Sequence, residues 1–276
     1  MTAQPTSVRP LQPSARVVLR ADSDGIAVLT LNRPEARNSL SEAMLHALSA
    51  EFTALAGDRG IRAVVIAANG PAFSAGHDLK ELTARRTDAD RGRHYFETIM
   101  TRCSAMMQQI VDLPQPVIAA VQGPAAAAGC QLVATCDLAV ASTAARFSTP
   151  GVDIGLFCST PMVALSRNVA RKHAMEMLLT GEMLSAEDAA RIGLVNRVVP
   201  AGTERDAALA LARTIAAKST AVVKLGKRAF YRQIELPLGE AYRYTAAVMV
   251  ENMLARDAEE GFNAFIEKRP PRWEDR

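Results

Sequence analysis

Two short segments rich in small residues carry the chemistry this sequence could support. The first, FSAGHDL at positions 73–79, follows an apolar run and an Asn69-Gly70-Pro71 turn. Small residues and a glycine at a strand exit let backbone approach a ligand closely, although an ordinary tight loop has the same composition. The second, GPAAAAGCQ at positions 123–131, follows another apolar run and opens a helix. Its small residues give that helix an N-terminus without side-chain cover, so free N–H groups and the positive dipole end face outward. Such an end stabilises anions, including an oxyanion that develops on a carbonyl. Close packing of a helix on a sheet also wants small residues, so neither segment decides alone.

Other reactive side chains are sparse. Cys103, Cys130, Cys136 and Cys158 form no C-x-x-C pair and read as buried free thiols. Cys158 is a possible nucleophile, but no histidine is placed beside it by sequence. His46, His77, His94 and His173 show no ligand spacing, so no metal site is expected. The net charge of +3 is too small to point to nucleic acid, and no apolar run has the length of a membrane span.

The elements that must position these segments follow from periodicity. Ile26–Leu31, Ala63–Ala68, Val117–Val121 and residues 138–141 read as buried strands. Ser39 with Glu42 three residues on reads as a capping box, ahead of Met44, Leu48, Phe52 and Leu55 at helical spacing. Helical stretches are expected over residues 93–111 and 126–135, and one opens at Ser185. Short strands alternating with helices indicate an α/β core with a largely parallel sheet. Beyond Pro161 helices dominate, with 193–199 the one good strand candidate. The expected organisation is a disordered leader at 1–15, an α/β core at 16–200 and a helical region at 201–276. The leader's arginines and lack of acids also resemble a mitochondrial transit peptide.

Order and separation join these features. LNRPEARNSL, PAFSAGHDLKEL, VIAAVQGPAAAAGCQLVATCDLAVAS, TGEMLSAEDAARIGLVNRVVP and EGFNAFIEKRPP occur in that sequence. Together they resemble the enoyl-CoA hydratase/isomerase family, the crotonase superfamily, from about residue 17 to the C-terminus. The resemblance implies a spiral of strand-strand-helix turns, with C-terminal helices that form a homotrimer or a dimer of trimers. It implies an acyl-CoA substrate whose thioester enolate is held by two backbone N–H groups. These fall on His77, in the family's F-x-x-G-x-D pattern, and on Ala128, three residues before the first catalytic glutamate position. The His77 side chain could also serve as an acid or base. Coenzyme A enters as part of the substrate, so no separate cofactor is expected. Its contacts would run along His77, Asp78, Leu79 and Lys80 and near Arg37, with Lys268 reaching the phosphates or adenine. A cytoplasmic location is expected, or the mitochondrial matrix in a eukaryote.

The sequence departs from the family at both proton-transfer positions. Gln131 stands where G-G-G-C-E-L has its glutamate, and Gly151 where F-G-x-P-E has the second. A positioned carboxylate contributes roughly 10²–10⁴-fold as a general acid or base, and neither an amide nor a glycine replaces it. Asp153 is the nearest substitute in sequence, with a surface or capping aspartate as the alternative. Asp137, at the start of a strand, is expected to make turn or backbone contacts. Two functions remain open: a lyase- or isomerase-type enzyme whose reaction needs fewer carboxylates, and a non-catalytic acyl-CoA-binding or regulatory protein. A third, purely structural reading leaves the two small-residue segments unexplained.

Overall fold

The computed structural model describes residues 16–276; the leader read from positions 1–15 lies outside them. β1 (Val18–Ser23) turns through Asp24 and Gly25 into β2 (Ile26–Leu31), and both turn residues have positive φ. That two-residue turn matches the twist of an antiparallel hairpin. α1 (Glu42–Gly57) and β3 (Ala63–Ala68) follow, then α2 (Leu79–Ala84), α3 (Arg93–Asp112) and β4 (Val117–Val121). Next come β5 (Ala125–Ala126), α4 (Ala128–Thr135), β6 (Leu138–Ser142) and β7 (Arg146–Ser148). α5 (Pro161–Asn168), α6 (Arg171–Thr180), β8 (Leu184–Ser185), α7 (Ala186–Arg191) and β9 (Arg197–Val199) complete the mixed part. The chain ends in α8 (Glu204–Ala216), α9 (Thr220–Gln233), α10 (Leu238–Met253) and α11 (Arg256–Ile266).

The main sheet has the order β1-β2-β3-β4-β6-β9, parallel from β2 onward. A small second sheet, β5-β7-β8, stands beside it. The central strands are buried on both faces, which is why they read as continuous apolar runs. Alternation sorts their side chains. Leu29, Leu31, Val64, Ile66, Val117 and Val121 enter one core with α1, α3 and α4. Ile26, Val28, Val65, Ile118 and Val140 face the other way and meet Ala208 and Ala212 of α8. Thus α8, the first helix beyond residue 200, covers the back of the sheet.

Two caps test the local readings. Ser185 caps α7 by accepting from the Asp188 N–H at 3.0 Å. The α1 cap is Ser41, which accepts from the Met44 N–H at 3.2 Å, and not Ser39. The Ser39 hydroxyl is instead engaged with Asp78 at 3.2 Å, a tertiary partner that the local pattern does not reveal.

The helical region is fastened at the amino edge of the sheet, where β4 and β6 begin. Lys227 of α9 donates to the carbonyls of Ile110 and Gln115 and to Asp137 Oδ2 at 2.7 Å. Asp137 also accepts from the Val117 N–H and the Tyr231 hydroxyl. Its expected backbone contact is present, and the buried ion pair adds to it. Burial holds the Lys227 ammonium below its usual pKa despite the facing carboxylate. No helix among the described residues is long and apolar enough to cross a membrane.

Candidate active site

The loops that leave β2, β3 and β4 meet at the carboxyl edge of the sheet, where open α/β sheets commonly bind ligands. Backbone hydrogen bonds zip them together. Leu40 N–H donates to the Gly76 carbonyl at 2.7 Å, and Ala75 N–H to Arg37 at 3.0 Å. Phe73 N–H donates to the Pro124 carbonyl at 3.0 Å, and Ala126 N–H to Ser74 at 2.9 Å. Asn38, fully buried with positive φ, ties the first two loops by donating to the carbonyls of Asn69 and Ala72. It receives the Arg33 N–H in return. The sequence reading passed over Asn38; its signal is an asparagine in a strand-to-helix turn, where it tolerates left-handed backbone.

Two glycines permit the closest approaches. A side chain on Gly129 would place its Cβ 2.2 Å from the Ser74 carbonyl oxygen. At Gly76, where φ is +86°, a Cβ would stand 2.9 Å from Ala127 Cβ and 3.2 Å from the Ala128 nitrogen. The 73–79 loop therefore lies directly against the start of α4, with His77 next to Ala128. Ala127 has φ 49° and ψ −119°, an uncommon conformation for a residue with a side chain. It is pinned by its N–H to the Ser148 carbonyl and by its own carbonyl to the Gln131 N–H, each at 3.0 Å. Neither the His77 N–H nor the Ala128 N–H meets an acceptor among the described residues. The two amides that the sequence reading paired are thus neighbouring and free.

The side-chain positions expected beside them are His77, Gln131 and Gly151. Burial pushes the His77 imidazole below its usual pKa, and the nearby Leu40 carbonyl offsets part of that. Both ring nitrogens are buried without a hydrogen-bond partner among the described residues. Gln131 is 5% exposed, one turn along α4, and its Oε1 is likewise unpartnered. Gly151 is buried, and a Cβ there would lie 2.9 Å from Cys158 Sγ and 3.0 Å from the Leu156 carbonyl oxygen. The Leu156 N–H closes this loop onto the Gly151 carbonyl at 2.8 Å. Burial raises the pKa of the Cys158 thiol, which makes it a packing group and a poor nucleophile.

Several expected contacts are placed elsewhere. The exposed Asp153 has its carboxylate against Gly181, Oδ2 lying 3.0 Å from where a Cβ would stand, at the end of α6. Its carboxylate makes no hydrogen bond among the described residues. Asp78 turns inward. It caps α2 through the N–H groups of Lys80 and Glu81 and pairs with Arg33 at 2.7 Å. Burial opposes its charge, but Arg33 and the two amides hold its carboxyl below the usual range. Its side chain is therefore a brace between loops and is not free for a ligand. Arg37, Leu79 and Lys80 are exposed around the same loops, and the two cations have no acidic partner among the described residues. Lys268 is exposed beyond the end of α11. A cavity of about 780 Å³ lies at the opposite edge, between residues 111–114, α9 and α10, and contains none of the paired-amide residues.

Comparison with known proteins decides the family. Residues 21–276 match the sequence profile described as enoyl-CoA hydratase/isomerase. The chain belongs to the enoyl-CoA hydratase/isomerase family. A solved enoyl-CoA hydratase of Mycobacterium smegmatis is 53% identical and superposes with a TM-score of 0.89, covering 93% of this chain and 98% of that one. The solved human enoyl-CoA hydratase domain-containing protein 3 is 48% identical, also at 0.89, over 94% and 100%. In sequence, the human mitochondrial protein of that name is 49% identical over 250 residues, 91% of this chain and 81% of the relative. The family member described here thus has the crotonase fold with a helical C-terminal region.

Proposed function

We propose that this family member binds an acyl-CoA thioester, holds its carbonyl oxygen between the N–H groups of His77 and Ala128, and does not hydrate enoyl-CoA by a paired-glutamate route. The observation that carries the reading is the pair of adjacent free amides at the junction of the 73–79 loop and α4. Two such donors stabilise a developing enolate oxygen without any side chain taking part. Around them Gln131 and Gly151 supply no carboxylate, so the paired-glutamate activation of water is missing. Arg37 and Lys80 flank the same loops and suit the phosphates of coenzyme A, with Lys268 a further cation for them.

Exposed Leu238, Leu254, Phe265 and Ile266 on the C-terminal helices, each more than 70% accessible, support assembly as a homotrimer or dimer of trimers. The reaction is one that needs enolate stabilisation and few proton transfers, within the lyase or isomerase classes and acyl-CoA metabolism. A non-catalytic acyl-CoA-binding role is the second reading, favoured by the absence of carboxylates beside the amides. The mitochondrial designation of the vertebrate relatives supports a matrix location in a eukaryote, and the cytoplasm otherwise.

The test combines calorimetric titration with coenzyme A and acyl-CoA and a spectrophotometric assay on crotonyl-CoA. Saturable thioester binding is expected, with crotonyl-CoA hydration slower by about 10²-fold or more than in a two-glutamate hydratase. A flat titration overturns the binding reading. Hydration at a typical enzyme rate overturns the claim about Gln131 and Gly151.

A further inference from the structure

The lining of the cavity at the amino edge is graded. Leu113 is buried, and Val111, Pro114, Val222 and Leu225 beside it are half-buried. Arg228, Arg232, Asp112 and Glu251 are exposed, so an apolar recess lies under a charged rim. Lys224, Arg228 and Arg232 follow one another at four-residue spacing along one face of α9. Lys227 of the same helix is paired with Asp137, whereas those three meet no carboxylate among the described residues. Arg232 is held by stacking 4.4 Å from the centroid of the Tyr244 ring. The walls are fixed as well. Lys227 donates to the carbonyls of Ile110 and Gln115, one on each side of the 111–114 segment, and the Tyr231 hydroxyl donates to Asp137 at 2.8 Å. The exposed apolar residues Phe230 and Ile234 lie on the opposite face of α9. The cavity is thus a preformed feature of one chain, distinct from that apolar surface.

This lining selects among ligands. Its volume of about 780 Å³ is that of a small-molecule site, which typically measures roughly 300–1,000 Å³. The three cations outweigh Asp112 and Glu251 by a single charge. A nucleotide or coenzyme A, with several negative charges, would set the excess against those two carboxylates. A wholly apolar molecule makes no use of the cations, and a cationic head is repelled by them. One carboxylate on an apolar tail meets both requirements. Its head accepts charge-assisted hydrogen bonds at the rim, and its tail covers Leu113, Val222 and Leu225. We infer that this cavity is a second small-molecule site, separate from the paired amides, and that it takes an unesterified medium-chain fatty acid.

The experiment is calorimetric titration of the full chain with octanoate, decanoate and dodecanoate below their micelle-forming concentrations. Decyltrimethylammonium is the control of opposite charge. Decanoate should bind saturably at one site per chain, and each added CH₂ should tighten binding about two- to fourfold until the recess is full. The control should bind more weakly by about tenfold or more. Arg228→Glu, at an exposed position, should weaken decanoate by about tenfold or more. Val222→Trp fills the recess and keeps every charge, and should weaken binding as much, with Tm reporting that it folds. Saturating coenzyme A should leave decanoate affinity unchanged. A signal that is absent or does not saturate overturns the inference, and so does equal binding of the control. Decanoate affinity that stays within about twofold in Arg228→Glu, or in folded Val222→Trp, also overturns it. Displacement of decanoate by coenzyme A does the same, because the acid then sits at the paired-amide edge.

Discussion

An alanine in place of Gly129 acts on the amide pair without touching either member. Its Cβ would stand 2.2 Å from the Ser74 carbonyl oxygen and 2.8 Å from the Ser74 carbonyl carbon. Restoring van der Waals contact takes a separation on the order of 1 Å in a densely packed region. Ser74 has little freedom to yield. Its carbonyl accepts the Ala126 N–H at 2.9 Å, and its hydroxyl donates to the Asn38 carbonyl at 2.9 Å. The start of α4 must therefore move off the loop and carry the Ala128 N–H away from His77. Overpacking of this kind costs about 1–3 kcal/mol of stability, a few degrees in Tm for a chain of this size. A neutral hydrogen bond is worth about 0.5–1.5 kcal/mol net, so thioester affinity should fall by roughly 2–10-fold. For any enolate-forming reaction the loss is larger, roughly 10²-fold or more, because the donor acts mainly on the developing charge. The assay is titration of coenzyme A and butyryl-CoA into wild type and Gly129→Ala, read as the ratio of the two affinities. That ratio should fall while coenzyme A affinity holds within about twofold, since on the proposed reading the phosphates are met by the Arg37 and Lys80 side chains and not by the amide pair. A folded Gly129→Ala that keeps the wild-type ratio would refute the role of the Ala128 amide.

Three further outcomes are expected. Lys227→Met strands the Asp137 carboxylate and two carbonyls at the amino edge, at a cost of about 3–5 kcal/mol and a drop of roughly 10 °C in Tm by calorimetry; a loss below about 1 kcal/mol would show that the pair is not structural. Gly151→Glu meets Cys158 Sγ and the Leu156 carbonyl, so it should lower Tm by several degrees and, combined with Gln131→Glu, should not restore crotonyl-CoA hydration unless the 151–158 loop also moves; full hydratase activity in the double variant would sink this account. Burial lowers the His77 pKa in the folded chain, so the unfolded chain binds that proton more readily. The stability involved is fully present above about pH 6.5 and is lost as the pH falls from there through the folded pKa. His77→Gln should therefore flatten the decline in Tm between about pH 7.5 and 5.5, and an unchanged slope would exclude His77 as its source.

What the sequence revealed depended on how locally each feature is encoded. β2, β3 and β4 were legible because strands buried on both faces must be apolar at every position. β1 was missed because most of it is exposed and its one signal was the Asp24-Gly25 turn. β5, β7 and β8, two or three residues each, carry no periodicity at all. Ser39 and Ser41 are equally good caps by composition, and only the tertiary contact with Asp78 separates them. The same contact commits the Asp78 carboxylate to a structural role that no local pattern shows. Its counter-ion, Arg33, lies 45 positions away, beyond the reach of any local pattern.

The paired amides and the proton-transfer groups are encoded at different levels. Each amide needs only a backbone trace: glycine at 76 and 129, a positive φ at 127, and the hydrogen bonds that zip three loops together. Histidine at 77 or alanine at 128 leaves that trace intact, so the amide pair tolerates side chains that differ from the usual pattern. The paired-glutamate route depends on a carboxylate at each of two places, and a substitution at either removes it. Position 151 shows that the change here is more than an exchange of residues. Cys158 Sγ and the Leu156 carbonyl occupy the space that a side chain would need, and the Leu156 N–H seals the loop. The loop beyond β7 therefore leaves little room for a side chain at 151, whereas Gln131 carries a buried polar head group with an unpartnered acceptor. On the proposed reading, a chain that keeps the amide pair and carries no carboxylate at 131 or 151 is suited to holding a thioester and poorly suited to adding water to it by a paired-glutamate route.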